Sequence, residues 1–470
     1  MSSTAKLSAR DRIEVLLDNN SFVEIGALVT KRSTDFNMQM LEAPGDGVIT
    51  GYGLINERPV YVYSQDVSSL GGTIGEMHAK KITSLYDRAL KVGAPVIGLL
   101  DCAGMRLQEA TDALEAFGAI YAKQSLASGV IPVITGVFGN CGGGCSVLAS
   151  MSDFVFITKN GKLFVNAPNT IENNYTEKCD TASADFVAKA GLVDFVDEDD
   201  VASLNHMREL ISMLPSNNED EVDEACADDL NRDLVDFSSN LNDASALIKE
   251  LADNGSVIEI RKDYDDSMVV AFIRLGGAVT GVIANNGKDS VLTLRGCYKA
   301  VKFVQFCDAF GISILTLTNV SGFSTSKFEV GGIGIAAAKL TAAFADATVP
   351  KINLVTSKAY GSAYITMNSK SLGADFVFAL EDAEIGPMAS DLAAQIIYGK
   401  EIEAASDKAA FKAEKAAEYR KNLLASENAA KRGYVDSIIT AEEARKQIIY
   451  AFDMLYSKRE DRPFKKHGTV

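Results

Sequence analysis

The 470-residue chain is 47% apolar and 23% charged, an ordinary globular balance with material for two or three domains at about 150 residues each. Its formal net charge of −17 argues against a nucleic-acid partner, which needs clustered Lys and Arg, but leaves room for a small anionic ligand on a local basic patch. Seven scattered cysteines without a CxxC pair, and only His78, His206 and His467, predict neither a disulfide framework nor a metal site.

The opening MSSTAKLSARDRIEVLLD has no apolar run of signal-peptide length. The apolar runs elsewhere are strand-sized. The expectation is a cytoplasmic protein, with peripheral attachment to a membrane complex left open. From Met77 to Lys91, Ile82, Leu85, Ala89 and Leu90 recur at helical spacing, which predicts an amphipathic helix. The runs that follow alternate short Val/Ile/Leu strands with helical windows, the pattern of an α/β fold built on buried parallel strands.

The chain then repeats itself. Lys91 to Met105, KVGAPVIGLLDCAGM, matches Phe310 to Phe323, FGISILTLTNVSGF. Gly93 aligns with Gly311, Asp101 with Asn319 and Gly104 with Gly322, each at an offset of 311 − 93 = 218 residues. Ile131 to Ser146 matches Val349 to Tyr364, with Pro132 on Pro350. Gly53 to Asp66 resembles Ile273 to Asn286, and Ser152 to Ile157 resembles Ala374 to Ala379. Four matches in one order at nearly one offset read as a duplicated domain. The acidic, turn-rich stretch from Pro215 to Phe237 reads as the linker, giving domains 1–225 and 226–470. Lys400 to Ser426 is rich in Ala, Glu and Lys and predicts a surface helix or an arm on a neighbouring subunit.

Two loops hold equivalent places in the repeat. GNCGGGCS, Gly139 to Ser146, follows the strand VITGVF; KAYGSAY, Lys358 to Tyr364, follows INLVT. A strand that ends in small residues and opens a helix leaves backbone N–H groups unpaired, and these favour negative charge. Such donors stabilise an oxyanion, each worth about 3–4 kcal/mol in known hydrolases. Neither loop is a phosphate-binding GxxxxGK[ST] loop. The ends of the preceding strands should border the same crevices, which points to Gly104, Met105 and Arg106 at the first site and Gly322, Phe323, Gly331 and Gly332 at the second. Arg106 and Glu109 could equally form a salt bridge on the next helix.

The ordered runs APGDGVITGYGLI, GGTIGEMHAKKI, VGAPVIGLLDCAGMRLQE, VGGIGIAAAKL, FADATVPKI, KAYGSAY, RGYVDSII and the terminal RPFKKHG resemble the acyl-CoA carboxylase carboxyltransferase family. That family includes propionyl-CoA carboxylase β subunits and subunits of methylmalonyl-CoA and glutaconyl-CoA decarboxylases. The resemblance runs from about Leu7 to the C-terminus. It implies two tandem crotonase-like ββα superhelix domains, the first binding acyl-CoA and the second carboxybiotin. It places oxyanion pairs on Gly143 and Gly144 and on Ser362 and Ala363, with Tyr360 and Gly361 at the biotin site. The implied reaction moves a carboxyl group between carboxybiotin and the α-carbon of a short acyl-CoA, propionyl-CoA or methylmalonyl-CoA. Read backwards, it is the work of a sodium-pumping decarboxylase subunit.

No side-chain base is required, which suits so few histidines. The chain has no Met-Lys-Met biotinylation motif and no ATP-binding carboxylase region. The implied partners are therefore a biotin carboxyl carrier protein, a biotin carboxylase subunit or membrane pump subunits, and further copies of the chain in a hexamer. The chain departs from the family pattern at Ser362, where KAYGGAY is usual, at VSGF and CAGM, and at Cys145. Two other readings are a single-site crotonase hydratase or isomerase, which needs a carboxylate at the first glycine loop, and a non-catalytic scaffold in a carboxylase complex.

Overall fold

A computed structural model describes residues 6–32, 36–174, 178–222, 224–288 and 290–463. His467 and the end of the RPFKKHG run lie outside them. The chain divides into two compact units on either side of the Val222–Asp223 bond.

The first unit holds a sheet of strands β1 (Val23–Ile25), β2 (Val48–Ile55), β3 (Arg58–Gln65), β4 (Val96–Cys102), β5 (Val133–Gly142), β6 (Phe154–Thr158), β7 (Lys162–Phe164) and β8 (Phe195–Asp197). Its order is β1-β2-β3-β4-β5-β6-β8, with β7 pairing β5 off that path. The second repeats it with β9 (Val257–Ile260), β10 (Met268–Leu275), β11 (Ala278–Asn285), β12 (Ser313–Val320), β13 (Lys351–Tyr360), β14 (Phe376–Leu380), β15 (Glu384–Gly386) and β16 (Ser437–Ile439). The order is β9-β10-β11-β12-β13-β14-β16, with β15 pairing β13. This is the duplicated α/β architecture that the repeat predicts.

Local chemistry explains the matching. The β2–β3 hairpin turns at Asn56 and Glu57, and the β10–β11 hairpin at Gly276 and Gly277, all with positive φ, the backbone that a tight two-residue hairpin demands. The parallel strands that follow are buried: every residue of β4 is inaccessible, as expected for strands covered on both faces. After helix α1 (Ala9–Leu16), helix α2 (Glu76–Val92) realises the predicted amphipathic stretch. Its Ile82, Leu85, Tyr86 and Ala89 pack with Leu100, Val133 and Val137 in one core. It ends at Gly93 in the left-handed conformation, where glycine has no Cβ penalty. Helix α3 (Ala110–Ala127) covers the β4–β5 crossover.

Each unit breaks its sheet register at the same place. The β4–β5 pairing slips between Leu100 and Cys102, and the β12–β13 pairing between Thr318 and Val320. Past the slip, β5 leaves β6 and pairs with β7 at Asn140–Gly142, while β13 pairs with β15 at Lys358–Tyr360. The long strands β5 and β13 thus deliver their glycine loops to a short second layer. Carboxylates secure the next strand edges alike: the Val155 amide donates to Asp194 and the Val377 amide to Asp436, both at 2.7 Å.

Candidate active site

The first turn is shaped by glycine. Gly143 sits at φ 56°, ψ −121°, a conformation closed to residues with a Cβ. Its N–H donates to the Phe164 carbonyl on β7 (2.9 Å), and its carbonyl accepts from the Ser146 amide (3.1 Å). Helix α4 (Gly144–Ser150) starts at the next residue, so the amides of Gly144 and Cys145 are the ones without an intrahelical acceptor. Of the expected pair, Gly143 has its amide bonded to Phe164, whereas Gly144 has no helical acceptor.

Gly144 is glycine for want of space. A Cβ there would lie 2.7 Å from Phe117 and 2.9 Å from the Tyr121 hydroxyl. The Tyr121 O–H donates to the Gly144 carbonyl (2.7 Å) and fixes the start of α4. Behind the turn lie three buried thiols. Cys102 and Cys141 are neighbours across β4 and β5. A hydrogen bond from Cys145 holds the Cys102 thiol below its usual pKa, and the same contact with burial raises Cys145 well above it. Burial likewise raises Cys141.

Beside this turn, Met105 pairs with Ile74, and the Ile74 amide donates to the Gly104 carbonyl (3.0 Å). Thr73, Ala103, Met105 and Arg106 border a cavity of about 380 Å3. Arg106 reaches it only as part of the wall, since its guanidinium is already committed. It donates to Asp46 (2.6 Å), Glu109 (2.9 Å), the Thr73 carbonyl (2.7 Å) and the Thr73 hydroxyl (3.3 Å). Four of its five donors are thereby used in a site where Arg106, Asp46 and Glu109 are buried. Arg106 thus stands at the border of the cavity, and its ion pairs with Asp46 and Glu109 are buried, not on the surface. Glu109 also accepts the Glu76 amide (2.7 Å), which leaves it no role as a free base. Burial raises the Asp46 pKa despite Arg106. Beneath, His78 donates from Nδ1 to the Asp46 carbonyl (2.9 Å), and its Nε2 faces the Gln65 amide nitrogen at 3.3 Å. Burial and then Arg106 lower its pKa to about 3.

The second turn gathers its residues more completely. Gly361, at φ +61°, would bring a Cβ to 3.2 Å from the Pro387 carbonyl. Helix α7 (Gly361–Thr366) starts there, so Ser362 and Ala363 stand in its first turn with amides free of helical acceptors. Gly322, Phe323, Tyr360, Gly361, Ser362 and Ala363 together wall a cavity of about 410 Å3. Lys358, Met388 and Leu392 also line it; the last two lie beyond β15, where no sequence feature marked them. The Tyr360 hydroxyl donates to Glu384, whose other oxygen pairs with Arg420 at 2.5 Å. Burial, then Glu384, raise the Tyr360 pKa, so it serves as a fixed, neutral wall.

Gly331 and Gly332 are not among the residues of this cavity. Gly332 precedes helix α6 (Ile333–Asp346), and a Cβ there would meet Leu294, the first residue of helix α5 (Leu294–Ala309), at 2.4 Å; packing accounts for it. Among the described residues no group of three or more His, Cys, Asp or Glu could hold a metal ion, and no helix is long and apolar enough to cross a membrane.

The equivalent turns, each at the end of the long strand of a duplicated domain, meet a matching family. The carboxyl transferase domain model matches residues 2–470. The chain belongs to the carboxyl transferase domain family. It is 40% identical to the methylmalonyl-CoA decarboxylase subunit alpha of Propionigenium modestum, covering 100% of this chain and 94% of that one. It is 41% identical to a putative propionyl-CoA carboxylase beta chain of Bacillus subtilis, covering 99% and 94%. Among solved structures, the transcarboxylase 12S hexamer with hydrolysed methylmalonyl-coenzyme A bound matches with a TM-score of 0.94 at 36% identity, over 99% of this chain and 92% of that one. This carboxyl transferase domain protein has the tandem crotonase-type fold that its motifs imply.

Proposed function

We propose that the chain is the carboxyltransferase subunit of a biotin-dependent acyl-CoA carboxylase or decarboxylase, with methylmalonyl-CoA and propionyl-CoA as the carboxylated and decarboxylated substrates. The observation that carries the reading is the pair of equivalent turns, each presenting first-turn amides where a long strand meets a helix. The first unit would take the acyl-CoA and the second the biotin.

The second cavity fits such a ring. It offers two amides and the Lys358 side chain among the apolar walls of Phe323, Met388 and Leu392, the mix of apolar lining and few polar groups typical of a cofactor site. When bound, carboxybiotin supplies the activated carboxyl group, and its ureido ring accepts the substrate proton. The chain's own part is electrostatic. Amides of Ser362 and Ala363 donate to the ureido oxygen. Amides of Gly144 and Cys145 donate to the thioester oxygen as negative charge grows there, and bind that charge more tightly than the neutral carbonyl. No side-chain base takes part, and Glu109, a buried carboxylate of the first unit, is bound to Arg106.

The biotin carrier, the biotin carboxylase or pump subunits, and a hexamer of this chain belong to the same proposal. Relatives named for carboxylation and for decarboxylation are equally similar to it, and the partner subunit sets the direction. Carboxyl exchange between free biotin and methylmalonyl-CoA tests the reading with the purified chain. Exchange dependent on both substrates supports it; an assembled protein with no exchange toward any short acyl-CoA refutes it.

A further inference from the structure

The two turns differ in one atom that matters. At Gly144 a side chain has no room, because Phe117 and Tyr121 stand within 2.9 Å of a would-be Cβ. At the equivalent position, 362 − 144 = 218 residues on, the chain carries Ser362. That side chain is exposed and forms part of the 410 Å3 cavity wall beside Phe323, Tyr360 and Gly361.

We infer that the Ser362 hydroxyl is a third hydrogen-bond donor to the ligand oxygen held by the Ser362 and Ala363 amides, and so sets affinity for the biotin ring. This rests on the carboxyltransferase reading above. Serine and threonine inside a helix usually spend their hydroxyl on the carbonyl four residues back. The neighbours do so: Thr366 donates to the Ser362 carbonyl (3.1 Å) and Ser369 to the Ile365 carbonyl (3.2 Å). Ser362 is the second residue of α7, and four residues back lies Lys358, still in β13. The helix offers it no such carbonyl, and among the described residues its hydroxyl has no hydrogen-bond partner. The oxygen that α7 amides would bind lies at the same helix end, within reach of a hydroxyl that swings about one bond.

Hydrogen bonding through a hydroxyl is separable from bulk. Ser362→Ala keeps the Cβ and Ser362→Gly removes it; both delete the donor, whereas Ser362→Thr retains it. The assay is carboxyl exchange between free biotin and methylmalonyl-CoA by the full chain, with KM for each substrate and kcat measured separately. The Ala and Gly variants should raise KM for biotin alike, by about 3- to 10-fold, the worth of one neutral hydrogen bond. KM for methylmalonyl-CoA should not change, and the Thr variant should stay near wild type. An Ala variant with wild-type KM for biotin, or a rise confined to the Gly variant, overturns the inference while the carboxyltransferase reading stands. Absence of exchange in the wild type overturns that reading, and the inference with it.

Discussion

Ile74 and Leu292 do the same work at positions 218 residues apart: the Ile74 amide donates to the Gly104 carbonyl (3.0 Å) and the Leu292 amide to the Gly322 carbonyl (2.9 Å). Each residue also forms a parallel backbone bridge with the residue that follows its glycine, Met105 in one unit and Phe323 in the other. The loops flanking the two turns are thus pinned by one bonding scheme, and variants of one turn can be read against the other.

Gly144→Ala places a methyl group 2.7 Å from Phe117 and tilts the start of α4. Misaimed amides should cost exchange about 100-fold or more, the loss seen when one oxyanion donor is removed. Phe117→Leu in the same chain should recover part of it. Steady-state exchange kinetics on the single and double variants check this, and equal activity of Gly144→Ala and wild type would contradict the donor assignment.

Ser362→Pro removes an amide in the first turn of α7, where proline's fixed φ suits the helix and no helical bond is lost. Exchange should fall about 100- to 1,000-fold with little change in melting temperature. Gly143→Pro is a poorer probe, because φ +56° is closed to proline and its amide is already bonded to Phe164. It should destabilise the first unit.

Arg106→Ala leaves Asp46 and Glu109 as buried carboxylates without their cation. Such uncompensated charges cost about 3–5 kcal/mol. Chemical denaturation should show a loss of that size, and a loss below about 1 kcal/mol would mean the ion pairs are dispensable.

His78 makes acid stability testable. Its folded pKa of about 3 lies below the ordinary 6.5, so the unfolded chain takes up a proton that the folded chain refuses. The stability linked to His78 is present above pH 6.5 and is lost as pH falls toward 3. Asp46 has a raised pKa and acts in the opposite sense, because the folded chain binds that proton first. His78→Gln should flatten the fall in melting temperature between about pH 6 and pH 4. An unchanged slope would assign the acid sensitivity elsewhere.

The duplication was legible because tight backbone demands glycine or proline: Gly93 and Gly311 end equivalent helices or their neighbours, and Gly104 and Gly322 receive equivalent bonds. The helix predicted from Met77 to Lys91 differs from the observed Glu76–Val92 by one residue at each end. What escaped was non-local. The carbonyl that takes up the Gly143 amide sits on β7, beyond an intervening helix and strand, and Arg106 meets Asp46 from another loop 60 residues away. Spacing within a motif carries no record of such meetings. The 218-residue offset aligns Gly144 and Cys145 with Ser362 and Ala363, and the proposed first donor pair rests on that correspondence.

Strand β7 is three residues long, yet its final carbonyl sets the angle at which the first turn presents its amides. If the proposed mechanism holds, drift in Lys162–Phe164 would therefore retune reaction rate through the Phe164 carbonyl. Homologues that share every residue around the bound substrate can still differ in speed, and engineering for activity has a lever in a segment that a contact map of the substrate would omit.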